Sequence, residues 1–217
     1  MAQYRKSAAE PVSVPSSLVR PYCLKCTIGI SGAAETGHCA SDATEKASEI
    51  GAAVARAGLV LVTGATTGVP YWAARAAKEG GGLVIGFSPA KGEEEHTEEL
   101  RLPLDYHDII VYTGSGYSGA NLMLVRSVES LIIVCGDMGT LNEFTTAFEV
   151  GTPVGVLTGS GGTADMVDEI VKRAESGPGR IIYDANPSSL VEKLIARIGT
   201  HKAAEVRGRR YEVRGKR

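Results

Sequence analysis

"SLIIVCGDMGTLNEFTTAFEVGTPVGVL", residues 130–157, decides the fold. Its first five residues are apolar without alternation, and a strand of that kind is buried on both faces, as in a parallel sheet covered by helices. "CGDMGT" (135–140) then reads as a turn, and the segment 141–150 has helical period and good helix formers. "TPVGVLTG" (152–159) returns to an apolar run. Strand, turn, helix and strand in this order make a parallel crossover unit.

The same unit recurs outward in both directions. "TIGISGA" (27–33), "LVLVTGA" (59–65), "GLVIGFSP" (82–89), "DIIVYTG" (108–114) and "RIIYDA" (180–185) are further short apolar runs ending in or beside small residues. Segments 40–57, 69–79, 119–129, 164–176 and 187–198 carry helical periodicity between them. The expected fold is therefore α/β: a doubly wound, mostly parallel Rossmann-like sheet of about seven strands with helices on both faces. One connection breaks the rhythm. "AKGEEEHTEELRLPLDYH" (90–107) is an acidic stretch that reads as a solvated loop, with a lid over the site as the alternative.

A chain of 217 residues can bury a proper core without staples. Residues 1–21 are expected to be a flexible leader, 22–200 one Rossmann-like domain, and 201–217 a basic, disordered tail. The balance of 23 basic against 25 acidic residues excludes a surface built throughout to grip nucleic acid. Nucleic acid is expected only through the tail, which holds seven Lys or Arg against two Glu. No apolar run is long enough to cross a bilayer and no secretory h-region opens the chain, so a cytoplasmic protein without membrane contact is expected. The cysteines are Cys23, Cys26, Cys39 and Cys135. Cys23, Cys26, His38 and Cys39 have the ligand types zinc prefers, but their spacing favours small buried cysteines flanking the first strand, and no metal is expected.

In an open parallel sheet, ligands bind beyond the carboxyl ends of the strands. The turns there, among them "SGAAETG" (31–37), "TGATTG" (63–68) and "CGDMGT", are rich in Gly, Ser and Thr, which suit phosphate and ribose. This makes Ser31, Gly32, Gly64 and Thr67 candidate ligand residues beside the 135–143 turn. His38 stands at the first of these turns, where surface or hydrogen-bonding roles compete with ligand contact. No Walker-type loop and no G-x-G-x-x-G after the first strand is present, so a mononucleotide suits the chain better than ATP hydrolysis or a dinucleotide. Thr140 and Glu143 have the spacing of a capping box, in which each side chain would serve the other's amide. A carboxylate in the first helical turn beside a ligand could equally orient a ribose or act as acid or base.

The stretch 119–157, together with "LVTGATTGVPYWAARAAKEGGGLVIGFSPA" (61–90), resembles the Lonely Guy (LOG) branch of the SLOG superfamily, formerly labelled lysine decarboxylases. The family's hallmark is a Gly-Gly-x-Gly-Thr-x-x-Glu turn after a strand, preceded by an Arg-Asn or Arg-Lys pair on a helix. The resemblance implies a homodimer that hydrolyses the N-glycosidic bond of cytokinin-type nucleoside 5′-monophosphates. Glu143 would be the catalytic carboxylate. Gly136, Asp137, Met138, Gly139 and Thr140 would form the phosphate turn, and Asn121 would follow the catalytic arginine. No lysine stands where a pyridoxal phosphate would need one, and no cofactor is expected.

Two positions depart from that pattern. Ala120 occupies the arginine's place, and Arg126 lies six residues on, on a different helix face. Asp137 replaces the second glycine. Three placements of its carboxylate stay open: hydrogen-bonded within its own loop, in contact with a ribose or base, or in a pocket that no longer binds phosphate. The expectation is thus a nucleotide-binding LOG-like hydrolase. A non-catalytic nucleotide-binding or sensing module that has lost the arginine is the alternative.

Overall fold

The computed structural model describes residues 25–175 and 179–198. The expected leader, the basic tail and Cys23 lie outside the described residues. Seven strands alternate with helices: β1 (Thr27–Gly32), α1 (Ala43–Arg56), β2 (Val60–Thr63), α2 (Val69–Glu79), β3 (Leu83–Ser88), β4 (Ile109–Tyr112), α3 (Gly116–Arg126), β5 (Ser130–Val134), α4 (Met138–Val150), β6 (Val154–Leu157), α5 (Gly162–Arg173), β7 (Ile181–Asp184) and α6 (187–198). All pairings between strands are parallel, in the order β4-β3-β2-β1-β5-β6-β7. The order reverses between β1 and β5, where Ser31 stands beside Ile133 and Gly32 beside Val134. Crossovers leave that point in opposite directions, so a crevice opens beyond the carboxyl ends of these two strands.

The sheet is buried because its strands send alternate side chains to two helical layers. Ile28, Ile30, Leu61, Ile132 and Val134 pack with α1, α2 and α6, for example against Ile50, Ala73 and Leu194. Leu131, Ile133, Val60, Val62 and Val156 face the other way and pack with α3, α4 and α5, against Leu124, Phe144 and Val167. α1 and α2 approach closely at Gly51, where a Cβ would lie 2.0 Å from the Ala73 carbonyl oxygen. Any side chain at 51 would push the two helices apart.

Where local sequence cues compete, the helix boundaries move. α3 begins at Gly116 and α4 at Met138, each about a turn earlier than the periodicity alone indicates. The acidic connection 90–107 contains a short π-helical turn, Glu95–Glu99. Its His96 is fully buried, with Nδ1 2.8 Å from Ser88 Oγ at the end of β3 and Nε2 3.1 Å from the Pro103 carbonyl. A second imidazole, His107, places Nε2 2.8 Å from Thr63 Oγ1 at the end of β2, so the connection is pinned to the sheet at two points while Glu93, Glu94, Glu98 and Glu99 stay at the surface. Among the described residues, no helix is long and apolar enough to cross a membrane.

Candidate functional site

The crevice at the β1/β5 switch point holds a cavity of about 460 Å³. β1 contributes Ser31 and Gly32, the turn after β2 contributes Gly64 and Thr66, and α3 contributes Tyr117, Ala120 and Asn121. The turn after β5 and the first turns of α4 complete the wall with Asp137, Met138, Gly139, Thr140 and Glu143. Of the residues expected to bind ligand, only Thr67 and Gly136 stand off this wall. The Thr67 hydroxyl donates instead to the Ala34 carbonyl at 3.3 Å.

Gly136 shapes the turn from behind. Its φ of +102° favours glycine, and a Cβ there would strike the Thr140 side chain at 2.5 Å. Its carbonyl accepts from the Thr163 amide at 3.1 Å and faces His38 Nε2 at the same distance. His38 thus braces the back of the turn and does not line the cavity. Cys135, also at positive φ, is joined by a disulfide to Cys39 across 96 residues of sequence. Cys39 and Cys135 are therefore not isolated small core residues, while Cys26 stands half-buried at the head of β1. Sulfur and imidazole do gather here, since ligand atoms of His38, Cys39 and Cys135 lie within 4.8 Å of one another. The two sulfurs of this group are bonded to each other, and Cys23 lies outside the described residues.

The capping box does not form. Asp137 is the N-cap of α4: its Oδ1 accepts from the amides of Gly139 at 2.9 Å and Thr140 at 3.4 Å. Of the three placements left open by sequence, the carboxylate takes the one within its own loop. Glu143, released from the cap, turns to the sheet and accepts a hydrogen bond from the Ser31 hydroxyl. Glu143 is buried, and burial pushes its carboxyl up to about 7; the Ser31 hydrogen bond opposes this and the nearby Asp137 charge adds to it. The pair joins β1 to α4 across 112 residues of sequence, directly at the switch point.

On α3, Asn121 donates to Asn142 Oδ1 at 3.2 Å, tying α3 to α4 at the cavity wall. Ala120 is buried and offers only a methyl group where the resemblance implies a guanidinium. Arg126 is exposed at the far end of α3 and is not part of the wall. Tyr117 and Met138, 59% and 77% exposed, present a phenol ring and a thioether at the cavity surface. Met138 is among the expected turn residues, whereas sequence reasoning does not single out Tyr117 or Phe87 of β3; only the packing of α3 against the sheet brings these two to the cavity. Among the described residues, the wall contains no lysine, arginine or histidine.

The arrangement suits a planar, hydroxyl-bearing ligand. Apolar surface from Ile30, Phe87 and Leu124 can cover a ring, while Ser31, Asn121 and Thr140 can reach hydroxyl or ring nitrogen atoms. Comparison with known proteins agrees with this type of fold. The SLOG cluster4 family matches residues 25–191. A protein from Archaeoglobus fulgidus is 34% identical over 130 residues, covering 60% of this chain and 78% of its own. Among solved structures, the molybdenum cofactor binding protein of Rippkaea orientalis superposes with a TM-score of 0.66 at 27% identity, over 80% of this chain and 98% of its own. The molybdenum cofactor carrier protein of Chlamydomonas reinhardtii does so at 0.63 and 27%, over 79% and 99%. DNA processing protein A from Helicobacter pylori, at 16% identity and a TM-score of 0.56 over 79% of this chain and 81% of its own, shares the fold alone. With a Rossmann-like sheet of the nucleotide-binding type and a family match spanning nearly every strand, the chain belongs to the SLOG cluster4 family.

Proposed function

We propose that the chain is a binding protein for a nucleotide-like heterocyclic small molecule, held in the β1/β5 crevice without being cleaved. One observation carries this reading: the cavity has the walls to hold a ring and its hydroxyls, but where a catalytic cation would stand it has Ala120, and among the described residues no basic group lines it. An oxocarbenium-like transition state and a departing base need charge stabilisation, and losing such a charged group removes several kcal/mol of it. The similarity to proteins named for binding and carrying the molybdenum cofactor, itself a heterocycle, supports holding over hydrolysis. A panel of purine and pyrimidine nucleosides, their 5′-monophosphates and pterins, followed by thermal shift, tests it. Saturable stabilisation by at least one ring-bearing ligand is expected, and none across the panel would defeat the reading.

A second reading, an N-glycosidase acting on nucleoside 5′-monophosphates, is favoured by Glu143. A buried carboxyl that titrates near 7 is suited to give and take a proton at neutral pH. Under this reading free base is released and Glu143→Ala abolishes the release. A homodimer, implied by the family resemblance, and a cytoplasmic location go with either reading. The exposed Leu122 and Met123 give α3 an apolar outer face for such a contact, and sedimentation at twice the chain mass is the expected result.

A further inference from the structure

The first amides of a helix have no partner within it and carry a partial positive charge, which is why such a turn can hold a phosphate. In α4 these amides are already engaged. The carboxylate of Asp137 sits on the Gly139 and Thr140 N–H groups, an anion supplied by the chain itself. A phosphate arriving at the same amides would have to displace that carboxylate, or lie against it. Among the described residues nothing on the wall would offset the repulsion, because no lysine, arginine or histidine lines the cavity and its other carboxyl, Glu143, adds no positive charge. What the wall otherwise offers a ligand is uncharged: the Thr66 hydroxyl, the Asn121 amide and the half-buried ring of Phe87.

We propose that Asp137 is a specificity residue that excludes phosphate from the crevice by occupying its seat, so that the ligand is an unphosphorylated ring-and-hydroxyl compound of the nucleoside class. The ligand class rests on the crevice being the binding site; the exclusion of phosphate by Asp137 does not. Asp137 reaches its position because Glu143 leaves the capping role and turns to Ser31, so one turn carries two carboxyls with separate tasks.

The test compares wild type, Asp137→Gly and Asp137→Asn as full chains, with circular dichroism to verify the helices. Asparagine keeps the cap and removes the charge, so it remains informative if the glycine variant does not fold. The first arm titrates inorganic phosphate, followed by ³¹P line broadening at constant ionic strength, with and without Mg²⁺. The second measures adenosine and its 5′-monophosphate by calorimetry. Wild type is expected to show no saturable phosphate binding, whereas Asp137→Gly gains it, and the affinity of monophosphate relative to nucleoside rises about tenfold or more in the glycine variant and less in the asparagine one. Saturable phosphate binding by wild type, with or without Mg²⁺, would overturn the proposal, as would an unchanged ratio in a folded Asp137→Gly. If neither adenosine compound binds any variant but phosphate still separates wild type from Asp137→Gly, the crevice reading loses support and the role of Asp137 stands.

Discussion

Glu143 shows most directly that a single residue serves the site at the expense of the fold. Its carboxyl is held out of water, so in the folded chain it keeps its proton up to about pH 7, while in the unfolded chain it ionises near 4.5, the ordinary value for a glutamate. Between those values the unfolded state binds fewer protons, and stability therefore falls as pH rises from about 4.5 to 7, then levels off. The size of the loss is about 3 kcal/mol. Glu143→Gln carries no such charge, and its stability relative to wild type should climb by about 2–3 kcal/mol between pH 5 and pH 8. Urea denaturation at the two pH values measures this; parallel curves for the two proteins would mean that Glu143 is already ionised in the fold. Asp137 works in the opposite sense, because it stabilises the helix it starts. Asp137→Ala should cost about 1 kcal/mol through loss of the cap, read from the same denaturation curves.

At the scale of elements, the strands were legible because they are buried on both faces, and burial of that kind writes itself into sequence as uninterrupted apolar runs. Every expected strand lies on a strand of the sheet, and the helices fall between them as expected. The start of α4 was not legible in the same way. Thr140 and Glu143 satisfy the local spacing of a capping box, but the competing partner of Glu143 is Ser31, brought near only by the pairing of β1 with β5. His96 illustrates the same limit, since one imidazole within an acidic run gives no sign that Ser88 and the Pro103 carbonyl will bury it. The Cys39–Cys135 disulfide likewise joins two strand-end loops that only the folded sheet brings together. It closes a long loop of the unfolded chain and ties down the turn from which Asp137 projects. Reduction is expected to cost about 2–4 kcal/mol, measured as a drop in melting temperature with reductant. A Cys39→Ala/Cys135→Ala double variant should melt with the reduced protein, and equal melting of oxidised and reduced wild type would deny the bridge a stabilising role.

For the whole molecule, topology decides where a ligand goes and side chains decide what is done with it. The alternation of strands and helices puts the ligand beyond the carboxyl ends of the strands, and the strand order, which sequence does not show, places the crevice between β1 and β5. Of the site, the residues on the strand-end turns were legible because glycine, serine and threonine mark such turns. Tyr117 and Phe87 become neighbours of the cavity only through packing between layers. Among the described residues no basic side chain lines the wall, and the function proposed on that ground is that this cavity holds a ligand without cleaving it. It is tested most directly by incubating excess protein with a nucleoside and with its 5′-monophosphate, removing the protein by filtration, denaturing it, and quantifying every species by reverse-phase chromatography. The expected result is nucleoside depleted from the filtrate and recovered intact from the denatured protein, with no free base in either fraction. Free base accumulating with time in the presence of wild type, and not of Glu143→Ala, would contradict it.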